Sequence, residues 1–159
     1  MHEDGILRSS RAPAPDAPQA QAEEYAARLL DELGYVGVLA LELFDAGGGP
    51  LVANELAPRV HNTGHWTIEG AETSQFENHL RAILGLPLGP TSLRGTVAML
   101  NVIGQEPDVP AVLAVPGAHL HLYGKEPRPR RKLGHVTLLD PTEDRLAALR
   151  AALGRLRPL

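Results

Sequence analysis

Residues 51–66, LVANELAPRVHNTGHW, hold a carboxylate (Glu55), a guanidinium (Arg59), two imidazoles (His61, His65), two carboxamides (Asn54, Asn62) and the chain's one tryptophan, Trp66. Pro58 and Gly64 in the same stretch argue against a helix. Polar groups buried without partners cost on the order of 1–3 kcal/mol each, so this density in an irregular segment points to a site and not to packing. A second carboxylate, Glu42, sits inside the apolar run VGVLALELF. There it must be paired, protonated or bound to a cation, because an isolated buried charge is too costly.

Two carboxylates facing one pocket, joined by the Asn54 side-chain oxygen, suit a hard divalent cation such as magnesium that also holds phosphate oxygens. The alternative is two unrelated glutamates, each paired with an arginine. Arg59, His61 and Asn62 are the parts of a small-anion pocket: a bidentate fork, an imidazole that can move a proton near neutral pH, and an amide donor. A polar loop whose histidines cap backbone groups is the plainer reading. Zinc is disfavoured, since the two histidines, four apart, do not share a helix and the surrounding donors are oxygens. A third group lies in YGKEPRPRRKLGH, where Lys125, Arg128, Arg130, Arg131, Lys132 and His135 make a cationic turn. The chain has thirteen arginines but only two lysines, both in this turn, which hints at a compact point charge and would suit a phosphate-bearing small molecule, although a solvated charged loop is the plainer reading of these residues. His119 and His121 alternate with leucines and share one strand face.

These groups need elements to hold them. Residues 36–44 read as a strand buried on both faces, DAGGGP as a turn, and residues 51–55 as the returning strand of a hairpin. One register of that hairpin puts Glu42 and Glu55 on the same face. Before it, Asp16 and Gln19 read as a capping box for an amphipathic helix that Gly34 stops. After the polar loop, Ser74 and Glu77 repeat the signature for a helix with Phe76, Leu80, Ile83 and Leu84 inward. Residues 85–93, rich in proline and glycine, mark a boundary. Strands follow at about 95–103, 118–123 and 133–139, with a short helix or turn near 108–115 and a last helix from Thr142 that turns Leu146, Leu149 and Leu153 inward. Residues 1–10 read as the tail of a strand or hairpin.

Composition narrows the function. A formal charge of −4 and a pI near 5.9 argue against nucleic-acid binding. The absence of cysteine excludes disulfides, thiolate catalysis and cysteine-ligated zinc. No apolar run reaches the ~18 residues that span a bilayer, and the N-terminus is not of signal type, so a cytoplasmic protein without a membrane partner is expected.

ELF followed by LVANELAPRVHNTGHWTIEGAETSQFENHLRAILGLPLG, and later AHLHLYGKEPRPRRKLGHV, closely resemble the 5-(carboxyamino)imidazole ribonucleotide synthases, ATP-grasp enzymes of purine biosynthesis. The resemblance begins with HEDGIL and covers essentially the whole chain. It implies an α+β fold: the C-terminal part of an ATP-grasp domain over residues 1–90, then a small α/β C-terminal domain over residues 91–159. It implies a ligase that uses ATP and magnesium to carboxylate aminoimidazole ribonucleotide with bicarbonate through carboxyphosphate. By resemblance, Glu42 and Glu55 are magnesium carboxylates, and Asn54 and Glu55 lie at the ATP phosphates. His2 contacts the nucleotide, and Arg59, His61 and Asn62 lie beside the bicarbonate or carboxyphosphate. Lys125, Arg131 and Lys132 cradle the ribonucleotide phosphate.

Two departures stand out. Where the family reads RPGRK this chain has RPRRK, with Arg130 in place of glycine. The family's N-terminal half, with its glycine-rich loop and ATP-binding lysines, has no counterpart, and the first 124 residues contain no lysine. The resemblance thus implies a fragment that is inactive alone, and a homodimer or a complex with the other half. A formate-dependent glycinamide ribonucleotide transformylase fragment and a non-catalytic binding or assembly module are the alternatives.

Overall fold

A computed structural model describes residues 1–3 and 5–154, with backbone only at residues 2 and 3. In chain order the elements are β1 (His2–Glu3), β2 (Ile6–Leu7), β3 (Ser9–Ala12), α1 (Gln19–Leu33), β4 (Ala40–Phe44), β5 (Val52–Ala57), α2 (Thr67–Gly70), α3 (Gln75–Ile83), β6 (Val97–Ile103), α4 (Val109–Leu113), β7 (Ala118–Leu122), β8 (Lys132–Leu139) and α5 (Glu143–Gly154). They form two compact units, residues 14–92 and residues 1–13 with 93–159.

The unit holding the chain's last helix has a four-stranded antiparallel sheet in the order β3-β6-β8-β7. β6 and β8 are nearly all buried: β6 reads as an apolar run broken only by Asn101, whereas β8 also buries His135 and Thr137. Leu146 and Leu149 of α5 and Val112 of α4 pack with Val136 and Leu138 into a dry core. The expected inward face of the last helix is the observed one. β3 joins this sheet through rungs from Ser9↔Leu100 to Ala12↔Val97, which ties it to the unit of residues 93–159.

The other unit is built differently. β4 and β5 form a two-stranded antiparallel sheet, and α1 has no buried residue. The expected strand over residues 36–44, buried on both faces, is shortened to Ala40–Phe44 and is only half-buried, with Phe44 exposed. Gly37 takes φ +133°, and the Val38 amide donates to His79 Nδ1 at 3.0 Å instead of to a strand neighbour. One face of this ladder lies across an open groove from α1 and is not packed tightly against it, so its strands stay only partly covered.

Neither of the two expected capping boxes is complete. α1 starts at Gln19 with Pro18 as N-cap and no side-chain cap, because the fixed proline φ of −74° already turns the chain into the helix. Ser74 does cap α3, accepting from the Glu77 amide at 3.2 Å, but the Glu77 carboxylate turns outward to Arg81. Gly34 ends α1 in the left-handed conformation at φ +56°, and Gly34 and Tyr35 donate back to Asp31 and Leu30.

The face α3 buries is the reverse of the expected one. Gln75 and Asn78 are its buried residues, whereas Leu80 and Ile83 are 56% and 52% exposed. The polar residues go inward because loops on that side need their hydrogen bonds. Asn78 grips Gly89 from both sides: Gly89 N–H donates to Oδ1 at 2.8 Å, and Nδ2 donates to the Gly89 carbonyl at 3.2 Å. Thr73 closes over Gly89 so tightly that a Cβ there would collide with it.

Candidate functional site

The β4–β5 hairpin runs in register from Ala40↔Ala57 to Glu42↔Glu55, then slips so that Leu43 faces Ala53. Asn54 is the extra residue of a β-bulge. In a regular strand, neighbours point to opposite faces, and the bulge re-aims one of them. The Asn54 amide accordingly donates to Glu42 Oε2 at 3.2 Å, on the carboxylate face of the ribbon. The other face, with Leu41, Leu43, Leu51 and Ala53, lines a groove of about 640 Å³ against Tyr25 and Leu29 of α1.

Like charges directly opposite on a ladder repel, so the Glu42–Glu55 rung needs compensation. His61 lies over it, with Nδ1 3.7 Å from Glu42 Oε1 and Nε2 3.6 Å from Glu55 Oε1. Arg59 reaches Glu55 Oε1 at 3.9 Å. One donor atom from each of Glu42, Glu55 and His61 lies within 4.8 Å of the others. The side chains grade from 12% exposed at His61 through 22% at Glu42 to 49% at Glu55, so the site has a closed end and an open one. Two hard carboxylates, a neighbouring amide oxygen and an imidazole suit a small divalent cation.

The loop that delivers His61 is pinned by side chains. Tyr35 Oη donates to the Pro58 carbonyl at 2.7 Å, and Arg59 N–H donates to the Ala57 carbonyl at 2.8 Å. His61 precedes a single 3-10 turn, Asn62–Gly64, and its Nδ1 lies 2.9 Å from Thr63 Oγ1. Gln75 of α3 pairs with the His61 backbone on both sides, accepting from its N–H at 3.0 Å and donating to its carbonyl at 2.8 Å. His65 turns its ring toward Gln75 and Phe76, so the two histidines do not converge. Asn62 opens the 3-10 turn, its carbonyl accepting from the His65 amide at 3.1 Å. Trp66 is half-buried before α2.

Glu42, Asn54, Glu55, Arg59 and His61 therefore come together on one unit. Lys125, Arg131 and Lys132 lie on the other, around the β7–β8 connection. The Lys125 ammonium stands 5.2 Å from the centre of the Tyr123 ring, a cation–π distance. Tyr123 Oη is 2.8 Å from His135 Nδ1, and the buried His135 stacks on His121 at 4.6 Å. Arg131 donates from its guanidinium to the Glu126 carbonyl at 3.4 Å and accepts at its own carbonyl from Gly104 N–H at 2.8 Å. Lys132 opens β8 opposite Ile103, beyond a register shift. Arg130 adopts φ +66°, the left-handed conformation that glycine takes without strain. His119 is exposed. The side chain of His2 lies outside the described residues.

Thr63, Gln75 and Tyr35 were not singled out by the sequence. The signal that could have found them is an obligation: an irregular loop carries backbone groups that must be paired, so nearby hydroxyl and carboxamide side chains are candidates.

Residues 1–76 match the family model of the ATP-grasp domain, and residues 97–149 match that of the phosphoribosylaminoimidazole carboxylase C-terminal domain. The class is therefore an ATP-grasp portion followed by that C-terminal domain, in a mixed helix and sheet fold. The N5-carboxyaminoimidazole ribonucleotide synthase of Pseudomonas aeruginosa is 60% identical over 137 residues, 86% of this chain and 38% of its own length. The structure of the Thermus thermophilus N5-carboxyaminoimidazole ribonucleotide synthetase superposes with a TM-score of 0.90 at 58% identity, over 98% of this chain and 45% of that one. That of the Aspergillus clavatus N5-carboxyaminoimidazole synthase, in complex with ADP and 5-aminoimidazole ribonucleotide, gives 0.87 at 36% identity, over 98% and 46%. Over the stretch it spans, the chain belongs to the N5-carboxyaminoimidazole ribonucleotide synthase family. It spans less than half the length of these relatives.

Proposed function

We propose that this chain supplies part of a site that carboxylates aminoimidazole ribonucleotide with ATP and bicarbonate. In that reaction the γ-phosphoryl group of ATP passes to bicarbonate, giving ADP and carboxyphosphate. The exocyclic amine of the ribonucleotide then attacks the carboxyl carbon, phosphate leaves, and the amine loses a proton. The reading rests on the Glu42–Glu55 rung, with Asn54 turned to the same face and His61 over both carboxylates, in a chain of this family.

Glu42 and Glu55, with Asn54, would hold magnesium, and Asn54 and Glu55 would lie toward the ATP phosphates. The ion would neutralise phosphate charge. Arg59, His61 and Asn62 would orient bicarbonate or carboxyphosphate beside it. Arg59 supplies a fork for an oxyanion, and His61 supplies an imidazole that faces both carboxylates and so also borders the cation they would hold. Lys125, Arg131 and Lys132 would take the ribonucleotide phosphate, and His2 would contact the nucleotide. The family division of residues 1–90 and 91–159, a homodimeric or two-part assembly, and a cytoplasmic location belong to the same proposal. Among the described residues no helix is long and apolar enough to cross a membrane.

Calorimetry with the 159-residue chain tests the site. ADP is expected to bind only with magnesium, and Glu55→Gln to weaken that binding at least about tenfold, since it removes one charged ligand. Equal ADP binding with and without magnesium, or by Glu55→Gln, would overturn the assignment.

A further inference from the structure

We propose that Gln75 is a positioning residue for the cation site, acting through His61; this rests on the cation reading given above. Among the described residues no strand runs beside His61; its carbonyl accepts from the Gly64 amide at 3.0 Å within the 3-10 turn, and its N–H joins no ladder. Gln75 takes the place of that strand for one residue, with Oε1 3.0 Å from the His61 amide nitrogen and Nε2 2.8 Å from the His61 carbonyl oxygen. A carboxamide is the one neutral side-chain type that can both accept and donate in this way. The backbone of His61 is thereby fixed, and its ring is left facing Glu42 and Glu55 at 3.7 and 3.6 Å.

The clamp is itself anchored. Gln75 is buried at 9% exposure, its amide donates to Thr67 Oγ1 at 2.9 Å, and Thr67 Oγ1 donates to the Gly64 carbonyl at 2.6 Å. The Gln75 Nε2 also lies 2.8 Å from His65 Nδ1. Gly64 belongs to the same device. A Cβ at position 64 would lie 2.6 Å from Gln75 Oε1, so any side chain there drives the carboxamide off the His61 amide. Gln75 touches neither carboxylate directly; the site depends on it only through the histidine it holds. Removing a group that orients a ligand typically weakens metal binding about 10–100-fold.

The test uses the 159-residue chain and Mn2+ as the probe, read by electron paramagnetic resonance. Nuclear Overhauser contacts between the His61 ring and the Glu42 and Glu55 side chains are measured in parallel without metal. Gln75→Ala and His61→Ala are each expected to weaken Mn2+ binding about tenfold. The double variant should bind no more weakly than His61→Ala alone, and Gln75→Ala should lose the Overhauser contacts. Gly64→Ala, which displaces Gln75 without removing it, should repeat the Gln75→Ala result and covers the case in which Gln75→Ala does not fold. Unchanged Overhauser contacts in a folded Gln75→Ala chain, or additive losses in the double variant, would overturn the inference. A wild-type chain that keeps the contacts but binds no Mn2+ would sink the cation reading while leaving the clamp standing as a positioner of His61.

Discussion

The two units of this chain solve opposite problems. Residues 93–159, with the first thirteen, bury Val97, Met99, Val112, Val136, Leu138 and Leu149 almost completely. Among the described residues, the fully buried hydrophobics of residues 14–92 are two alanines, Ala57 and Ala71, while its buried polar residues are Thr73, Gln75 and Asn78. Its larger apolar side chains, such as Phe44, Val52, Leu56, Leu80 and Ile83, are exposed. One unit is held by apolar burial, the dominant favourable term in folding. The other is held by side chains that grip loop backbone, and it carries the carboxylate site. A site of many hydrogen-bonding groups needs a scaffold that supplies partners, which a dry core cannot do. The uncovered apolar surface is the other half of that arrangement.

The comparison can be broken most sharply at Leu149. Leu149→Ala is expected to cost about 2–5 kcal/mol because it opens a cavity in the dry core, measured by urea unfolding with hydrogen exchange in β6 and β8 as the local probe. A loss below about 1 kcal/mol would mean that the core is not close-packed there. Asn78→Ala should cost about 1–3 kcal/mol, since the backbone of buried Gly89 loses both partners, and should speed exchange at residues 86–92 while leaving β8 protected. Exchange accelerated equally in both units would merge the two modes of stabilisation into one. Arg130→Gly relieves a left-handed φ worth about 1–2 kcal/mol but adds the backbone freedom of glycine, so the chain should gain between nothing and about 1 kcal/mol. A clear destabilisation would show that the Arg130 side chain holds the turn. Smallest of all, Leu80→Gln should change stability by no more than about 0.5 kcal/mol, as for surface positions in general. A drop comparable to that of Leu149→Ala would place Leu80 in a core.

What the sequence made legible follows the same division. The sheet and last helix of the buried unit were readable because hydrophobic periodicity is caused by burial, and there burial decides everything. The Glu42–Glu55 pairing was readable because a turn fixes register and register fixes faces. The bulge at Asn54 was not, since one irregular residue leaves no period. α3 misled for a physical reason: its apolar positions recur at helical spacing, yet the loops it serves need Gln75 and Asn78 more than the helix needs Leu80 buried. The capping signature at Asp16 lost to the neighbouring proline. His61 was legible as chemistry but not as a neighbour of both carboxylates, because loop geometry is set by partners such as Gln75, which are distant in sequence.

The bulge carries one more lesson, about how such a site changes over generations. Glu42↔Glu55 and Leu43↔Ala53 are consecutive rungs once Asn54 is set aside, so deleting that single residue would restore a regular ladder with every other partner unchanged. The amide is therefore an insertion and not a replacement. A ribbon of this kind can gain or lose a ligand-facing side chain by a one-codon event that leaves the hydrophobic face of the hairpin untouched, and position-by-position substitution counts would not register it.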